Sequence, residues 1–316
     1  MKIPTEQDAI RIVEEAIGEK VKDIKRFSTG TQHYVYDIVT EKRPLVARIA
    51  REDSIYYFEG AVYWYPTLKE KTVPLPNLIY SELSPAKHGF AVMIMDRVPG
   101  KDLGDVYQTL NKEQKRDLAK QIASFQMKVQ DMPLGPGFGY AKSYNDSSLE
   151  KSQIDVVLVH LERSRGRITD EAIVSYELIE RVKLLVHKNE KYFSAIEPRG
   201  FLDDTTTKNV IIDNGKLSGV VDADFICFGD IVQVVSLVNM ALLSEKSETD
   251  YVDYLMEYLA FNDEQKKMLN LYTLLFGLDF LTSHGHAFNK DKANLIEEEK
   301  IKHLKSIVEK YLTLVN

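Results

Sequence analysis

Apolar and polar residues alternate with a period of two over several short runs in the first third of the chain, then shift to a helical period that lasts to the end. Residues 27–38 have a small polar centre, Ser28-Thr29-Gly30-Thr31, between alternating flanks, which predicts two strands joined by a turn. Leu45-Val46-Ala47-Arg48-Ile49 predicts a further strand carrying one cation, and residues 57–68 place apolar side chains at helical spacing. Residues 78–80 and 90–95 read as two more strands, followed by the linker Val98-Pro99-Gly100. From Asn111 the period is helical, with Leu118, Ile122, Phe125 and Val129 on one face. More helices are predicted around 170–188, 230–243, 249–259, 264–282 and 297–314, and the Gly, Pro, Ser and Asn of 133–148 predict a loop. Inside the helical part, Val210-Ile211-Ile212 and the run 216–221 flank Asp213-Asn214-Gly215, a hairpin signal because Asn-Gly tolerates positive φ. The expected class is α+β with two lobes: residues 1–98, strand-rich with one helix, and 99–316, mostly helical and holding the hairpin. No internal repeat or low-complexity tract interrupts this.

The ends of that hairpin carry the candidate chemistry. Asp204 stands five residues before Asn209, and Asp222 closes the second run, so pairing of the two runs would set Asn209 beside Asp222. A carboxylate and an amide oxygen are hard donors that suit Mg²⁺, which keeps several waters and needs no full protein cage. A second carboxylate nearby can orient a hydroxyl and take its proton. Any one of these residues alone reads as an exposed polar turn. Three at matched positions on one hairpin point to a site.

The segment Leu202-Asp203-Asp204-Thr205-Thr206-Thr207-Lys208-Asn209, then an apolar strand, a turn, an apolar strand and Asp222, resembles the phosphotransferase family of aminoglycoside and macrolide phosphotransferases, choline kinase and homoserine kinase, relatives of the protein kinases. That resemblance implies a bilobal protein-kinase-like fold and transfer of phosphate from ATP or GTP to a small-molecule hydroxyl. It makes Asp204 the catalytic base and Asn209 and Asp222 the Mg²⁺ ligands. Ser28, Gly30 and Thr31 would cover the phosphates, and Arg48 stands where protein kinases carry a strand lysine, with Glu59 as its helix partner or Glu52 if the register slips. Met95 and Arg97 fall at the hinge, where backbone groups would read adenine. Gly229-Asp230 matches a family pair whose Asp caps the next helix, while Asp224 is open between a substrate-side role and a solvated loop carboxylate. The chain also departs from the family pattern: Leu202 replaces a loop histidine, Arg48 replaces lysine, and Gly30 is the one glycine of its turn. A pseudokinase-like nucleotide-binding or regulatory protein is therefore the alternative to an active small-molecule kinase. The absence of an Ala-Pro-Glu segment after Asp222 argues against a protein kinase.

Composition narrows the partners. The chain has 316 residues, enough for a full core in one or two domains, and a formal net charge of −7, which opposes nucleic-acid binding by phosphate neutralisation and mildly favours a cationic acceptor. One cysteine, Cys227, excludes an internal disulfide and a cysteine-rich zinc site, and reads as a packed residue. His284 and His286 flank a glycine and read as helix-end residues, not metal ligands. No charged and apolar leader opens the sequence and no apolar run reaches membrane-spanning length, which gives a cytoplasmic expectation without membrane partners.

Overall fold

A computed structural model describes residues 3–27, 33–288 and 293–316. The strand-rich part runs α1 (Glu6–Ile17), β1 (Val21–Arg26), β2 (Tyr34–Thr40), β3 (Pro44–Ala50), α2 (Ile55–Glu70), β4 (Leu78–Glu82), the single turn α3 (Pro85–His88) and β5 (Ala91–Asp96). After the linker come β6 (Lys101–Asp102), α4 (Leu103–Val106), α5 (Lys112–Gln130), β7 (Gly139–Ala141), α6 (Gln153–Gly166), α7 (Tyr176–Lys188) and α8 (Glu190–Ser194). The chain continues through β8 (Gly200–Leu202), β9 (Val210–Asp213), β10 (Lys216–Val220), β11 (Ile226–Phe228), α9 (Val232–Ser244), α10 (Asp250–Tyr258), α11 (Asp263–Thr282) and α12 (Glu298–Val315). No helix among the described residues is long and apolar enough to cross a membrane.

Strands β1 to β5 form one antiparallel sheet in the order β1-β2-β3-β5-β4. The period of two divides its faces. Leu45, Ala47, Ile49, Val92 and Ile94 pack with Ala9, Ile12 and Val13 of α1, whereas Ala50, Met93 and Met95 join the core that continues through α2 into the helices. The expectation of one helix in this part is corrected: α1 is a second long one, and it covers an outer sheet face that would otherwise leave a row of aliphatic side chains in water. Its signals are local. Thr5 and Asp8 form a reciprocal capping box, and Gly18 ends the helix at φ 72°.

In the helical part, α5 starts at a capping box of Asn111 and Gln114 and buries Leu118, Ile122 and Val129 as the periodicity requires. α11 packs on α9 and α12, and α5 packs on α10. The helix expected from 170 begins instead at Tyr176, because Ser175 caps it by accepting from the Leu178 N–H. Two small sheets matter most for function, ordered β10-β9-β6 and β7-β11-β8. The β9–β10 turn has Asn214 at φ 49° and Gly215 at φ 74°, both left-handed, as a two-residue hairpin with right-handed strand twist demands.

Candidate active site

Two strand ladders assemble the site. β8 and β11 pair with Leu202 opposite Ile226, so Asp203 and Asp204, which follow β8, run beside Asp224 and Phe225, which precede β11. In the other ladder Val210 faces Val220, and the Val221 N–H donates to the Asn209 carbonyl at 2.9 Å, which sets Asn209 next to Asp222. Asp204, Asn209 and Asp222 are thus brought together from three chain segments. Asp222 takes a left-handed backbone at φ 61°, a conformation that costs a non-glycine residue about 1 kcal/mol and that sharply redirects the chain after β10.

Local hydrogen bonds fix the loop that holds Asp204. Its Oδ1 accepts from the Thr206 N–H at 3.0 Å, and the Asn209 side-chain nitrogen donates to its carbonyl at 3.4 Å, leaving the Asn209 amide oxygen as an acceptor. Burial raises the Asp204 carboxyl above its ordinary range, with Thr206 opposing. The neighbouring Asp203 is pushed up further, by burial first and then by the charges of Asp204, Asp222 and Asp224. Leu202 is buried and gives the loop no polar anchor of its own. That anchoring comes from Gln126 of α5: its carbonyl accepts from the Leu202 N–H at 2.9 Å, and its amide donates to the Leu202 carbonyl at 3.0 Å and to Thr205 Oγ1 at 3.4 Å. The sequence reading missed Gln126, although a polar residue four positions after Ile122 on a buried face was a visible signal.

Arg48 is buried on the inner face of β3, where its guanidinium lies 5.4 Å from the centre of the Phe58 ring. Its two terminal nitrogens grip Asp224 at 2.6 and 2.5 Å, and Nη2 also reaches Asp222 Oδ1 at 2.9 Å and His33 Nδ1 at 2.9 Å. Because a guanidinium only donates, His33 Nδ1 must be the acceptor, and the ring is neutral. Burial, then the charge of Arg48, lowers His33 to about 3. The ring stacks on Phe58 at 4.7 Å. His33, Asp222 and Asp224 could by themselves surround a cation, and the cation among them is the guanidinium.

The expected Arg48–Glu59 pair is therefore corrected. Glu59 is exposed and binds Lys142 at 2.8 Å, a residue sequence reasoning did not single out. The reason lies one position along α2. A Cβ on Gly60 would sit 2.3 Å from the Asp224 carbonyl and 2.8 Å from the Phe225 ring, so Gly60 is where the helix touches the site loop, and Glu59 is turned about 100° away from that line of contact. The carboxylate that Arg48 uses is Asp224, which the sequence left open. It lies two residues after Asp222, past the left-handed turn at that residue, and Arg48 binds both carboxylates.

At the linker, Met95 is buried in β5 between β3 and β4. The Arg97 N–H points to the Pro44 carbonyl at 3.4 Å, and its side chain pairs with Asp37 at 2.8 Å, so that N–H is turned into the sheet and not toward a base. Ser28, Gly30 and Thr31 lie outside the described residues. Asp230 accepts from the Val232 N–H at 3.0 Å and from the Tyr192 hydroxyl at 2.8 Å, as a cap of α9. Cys227 is buried in β11, and His284 and His286 bind main-chain groups of Ile296 and Arg167.

A five-stranded antiparallel sheet joined by a short linker to a helical part, with a carboxylate, an amide and a carboxylate at the junction, defines a protein-kinase-like phosphotransferase fold. The chain belongs to the phosphotransferase enzyme family, whose model matches residues 23–268. No curated relative matches the sequence. Among solved structures it is similar to the GDP complex of aminoglycoside 2'-phosphotransferase-IIIa, at 14% identity over 98% of this chain and 99% of that one, TM-score 0.70. It is similar also to the apo form of a thermostable mutant of aminoglycoside phosphotransferase APH(4)-Ia, at 18% identity over 95% and 98%, TM-score 0.69. ADP-bound aminoglycoside phosphotransferase APH(2'')-Ib follows, at 16% identity over 98% of each chain, TM-score 0.62. At such identities the likeness is one of fold.

Proposed function

We propose that the protein transfers the terminal phosphate of ATP or GTP to a hydroxyl of a small molecule, with Mg²⁺ as cofactor. The observation that carries this is the meeting of Asp204, Asn209 and Asp222 where the two ladders end. The donor set fits the metal: the Asn209 amide oxygen and the Asp222 oxygen not given to Arg48 are hard oxygen ligands, and 46% of the Asp222 side chain is exposed. When bound, Mg²⁺ neutralises charge on the transferring phosphate. Asp204 orients the acceptor hydroxyl and takes its proton, and its raised affinity for protons suits a base. Arg48 serves here through Asp222 and Asp224, which it holds in place, and not through a Glu59 pair. The relatives solved with GDP or ADP, and one with GDP and kanamycin, support a nucleotide and a hydroxylated acceptor.

A second reading, a regulatory protein that binds nucleotide without metal, is favoured by one observation: Arg48 already occupies an oxygen of Asp222. Thermal stabilisation by ATP with and without Mg²⁺ separates the two, since a ligand that binds only the folded state raises its melting temperature. Stabilisation that needs Mg²⁺, together with transfer lost in Asp204→Asn but nucleotide binding kept, is the expected result. Stabilisation indifferent to Mg²⁺ would move the assignment to the regulatory reading.

A further inference from the structure

Arg48 does more than complete an ion pair, because its guanidinium is surrounded as a metal ion would be. Nη1 donates to Asp224 Oδ1 at 2.6 Å, and Nη2 reaches Asp224 Oδ2 at 2.5 Å, Asp222 Oδ1 at 2.9 Å and His33 Nδ1 at 2.9 Å. Nη2 has two hydrogens and serves three acceptors, so that nitrogen is saturated. The acceptors come from separate places in the chain: His33 directly precedes β2, while Asp222 and Asp224 lie between β10 and β11. One donor atom from each of the three lies within 4.8 Å of the other two. Ligands held about 2.1 Å from a divalent ion in an octahedral shell stand about 3–4.2 Å apart, so a small movement inward would complete such a shell. An imidazole with two carboxylates suits Mn²⁺ or Zn²⁺.

The place of the guanidinium is enclosed toward the interior. Arg48 is 5% exposed and His33 and Asp224 are 4% exposed each, so neither bulk water nor a hydrated ion reaches that side. The Phe58 ring forms a wall, 4.7 Å from the His33 ring and 5.4 Å from the guanidinium, and Gly60 brings α2 against the Asp224 carbonyl. Asp222 is the boundary. Its side chain is 46% exposed and gives one oxygen to Arg48, which leaves the other to the open side and Asn209. A divalent ion cannot take Asp224 and His33 while a positive charge already sits between them, since like charges at that separation repel strongly in a buried setting.

We propose that His33, Asp222 and Asp224 form a divalent-cation site that the Arg48 guanidinium keeps permanently filled, so that the protein carries one exchangeable metal where its carboxylates would otherwise hold two. The count of one rests on the phosphotransferase reading, which puts that metal on Asn209 and Asp222; the filled site does not depend on it. Counting Mn²⁺ bound to the full-length protein, by the paramagnetic resonance signal of the free ion, tests both. Beside a non-hydrolysable ATP analogue, the wild type is expected to hold one Mn²⁺ per chain. Without nucleotide, Arg48→Ala, which empties the place of the guanidinium, is expected to bind one Mn²⁺ roughly tenfold or more tighter than the wild type does. Adding His33→Ala should take that gain back, and Arg48→Lys, which keeps a positive charge there, should show none. Two Mn²⁺ on the wild type, no gain in Arg48→Ala, or a gain that survives His33→Ala would overturn the proposal. Should Arg48→Ala not fold without metal, refolding that requires Mn²⁺ is the same gain, and no refolding in its presence counts as none. An absence of Mn²⁺ from the wild type beside nucleotide would instead sink the kinase reading, and the variants still decide whether Arg48 fills a metal site.

Discussion

Gln126 offers the sharpest test of how the catalytic loop is held. Replacing it by methionine keeps the volume and flexibility of the side chain but removes its bonds to the Leu202 N–H, the Leu202 carbonyl and Thr205 Oγ1. Gln126 is 1% exposed and Leu202 2%, so water cannot replace the lost partners. Each buried main-chain group left unpaired costs about 1–3 kcal/mol, and relaxation recovers part of this, so the two Leu202 groups together predict a loss of about 2–4 kcal/mol for Gln126→Met. Gln126→Ala adds a cavity and should lose about 2 kcal/mol more. Urea denaturation gives the global number, and amide exchange at Leu202 gives the local one. Even 2 kcal/mol of local loosening corresponds to roughly thirtyfold faster exchange at that amide. Acceptor phosphorylation should fall in the same variant with Mg-ATP binding little changed, because the loop carries Asp204 while Asp222 is held by the other ladder. If Gln126→Met unfolds within about 0.5 kcal/mol of the wild type and the Leu202 amide exchanges at the wild-type rate, the side chain does not anchor the loop and the explanation for tolerating leucine at 202 is wrong.

Other outcomes follow from the same geometry. Arg48→Met leaves Asp224 buried without its cation and should cost about 3–5 kcal/mol in denaturation, whereas Glu59→Ala breaks an exposed pair with Lys142 and should cost at most about 1 kcal/mol; comparable losses in the two would restore the Arg48–Glu59 pairing. Gly60→Ala drives a methyl to 2.3 Å from the Asp224 carbonyl, and since backbone must shift, a loss of about 1–3 kcal/mol with weakened nucleotide binding is expected from melting curves. Asp230 is raised by burial from 3.8 to about 6, so the folded state binds its proton more tightly than the unfolded state does. Its contribution is therefore fully present below pH 3.8 and is lost as pH rises through 6, a swing of about 2 kcal/mol between pH 4 and pH 7 that Asp230→Asn should abolish when stabilities at those two pH values are compared.

Much of the site was legible because it is written in local signals. The Asn-Gly turn fixes a hairpin, the hairpin fixes the separation of Asn209 and Asp222, and the alternation in β3 places Arg48 on the inner face. What the sequence hid has physical causes. β8 and β11 are three residues each, too short to show a period, yet their pairing is what carries Asp204 to Asp222. α2 is apolar almost all round, with Tyr56, Tyr57, Phe58, Tyr63, Trp64 and Tyr65, so no stripe told which side meets the loop, and Glu59 was aimed wrongly for that reason. Gly60 was the available clue, since a glycine inside a helix costs about 1 kcal/mol and usually marks a close approach. Gln126 and Asp224 act across long sequence separations, and no local pattern reports a partner 76 or 176 residues away.

The β9–β10 hairpin is fastened to the strand-rich side at several points. β6 pairs with β9, a Cβ on Gly100 would lie 2.3 Å from the Ile212 carbonyl, the Val220 N–H donates to the Pro74 carbonyl at 2.9 Å, and Gly219 lies against Pro74 and Val98. The linker at 97–102 is consequently a riveted joint and a poor hinge. Any displacement of the outer helices relative to the sheet would therefore leave Asn209 and Asp222 travelling with the strand-rich side.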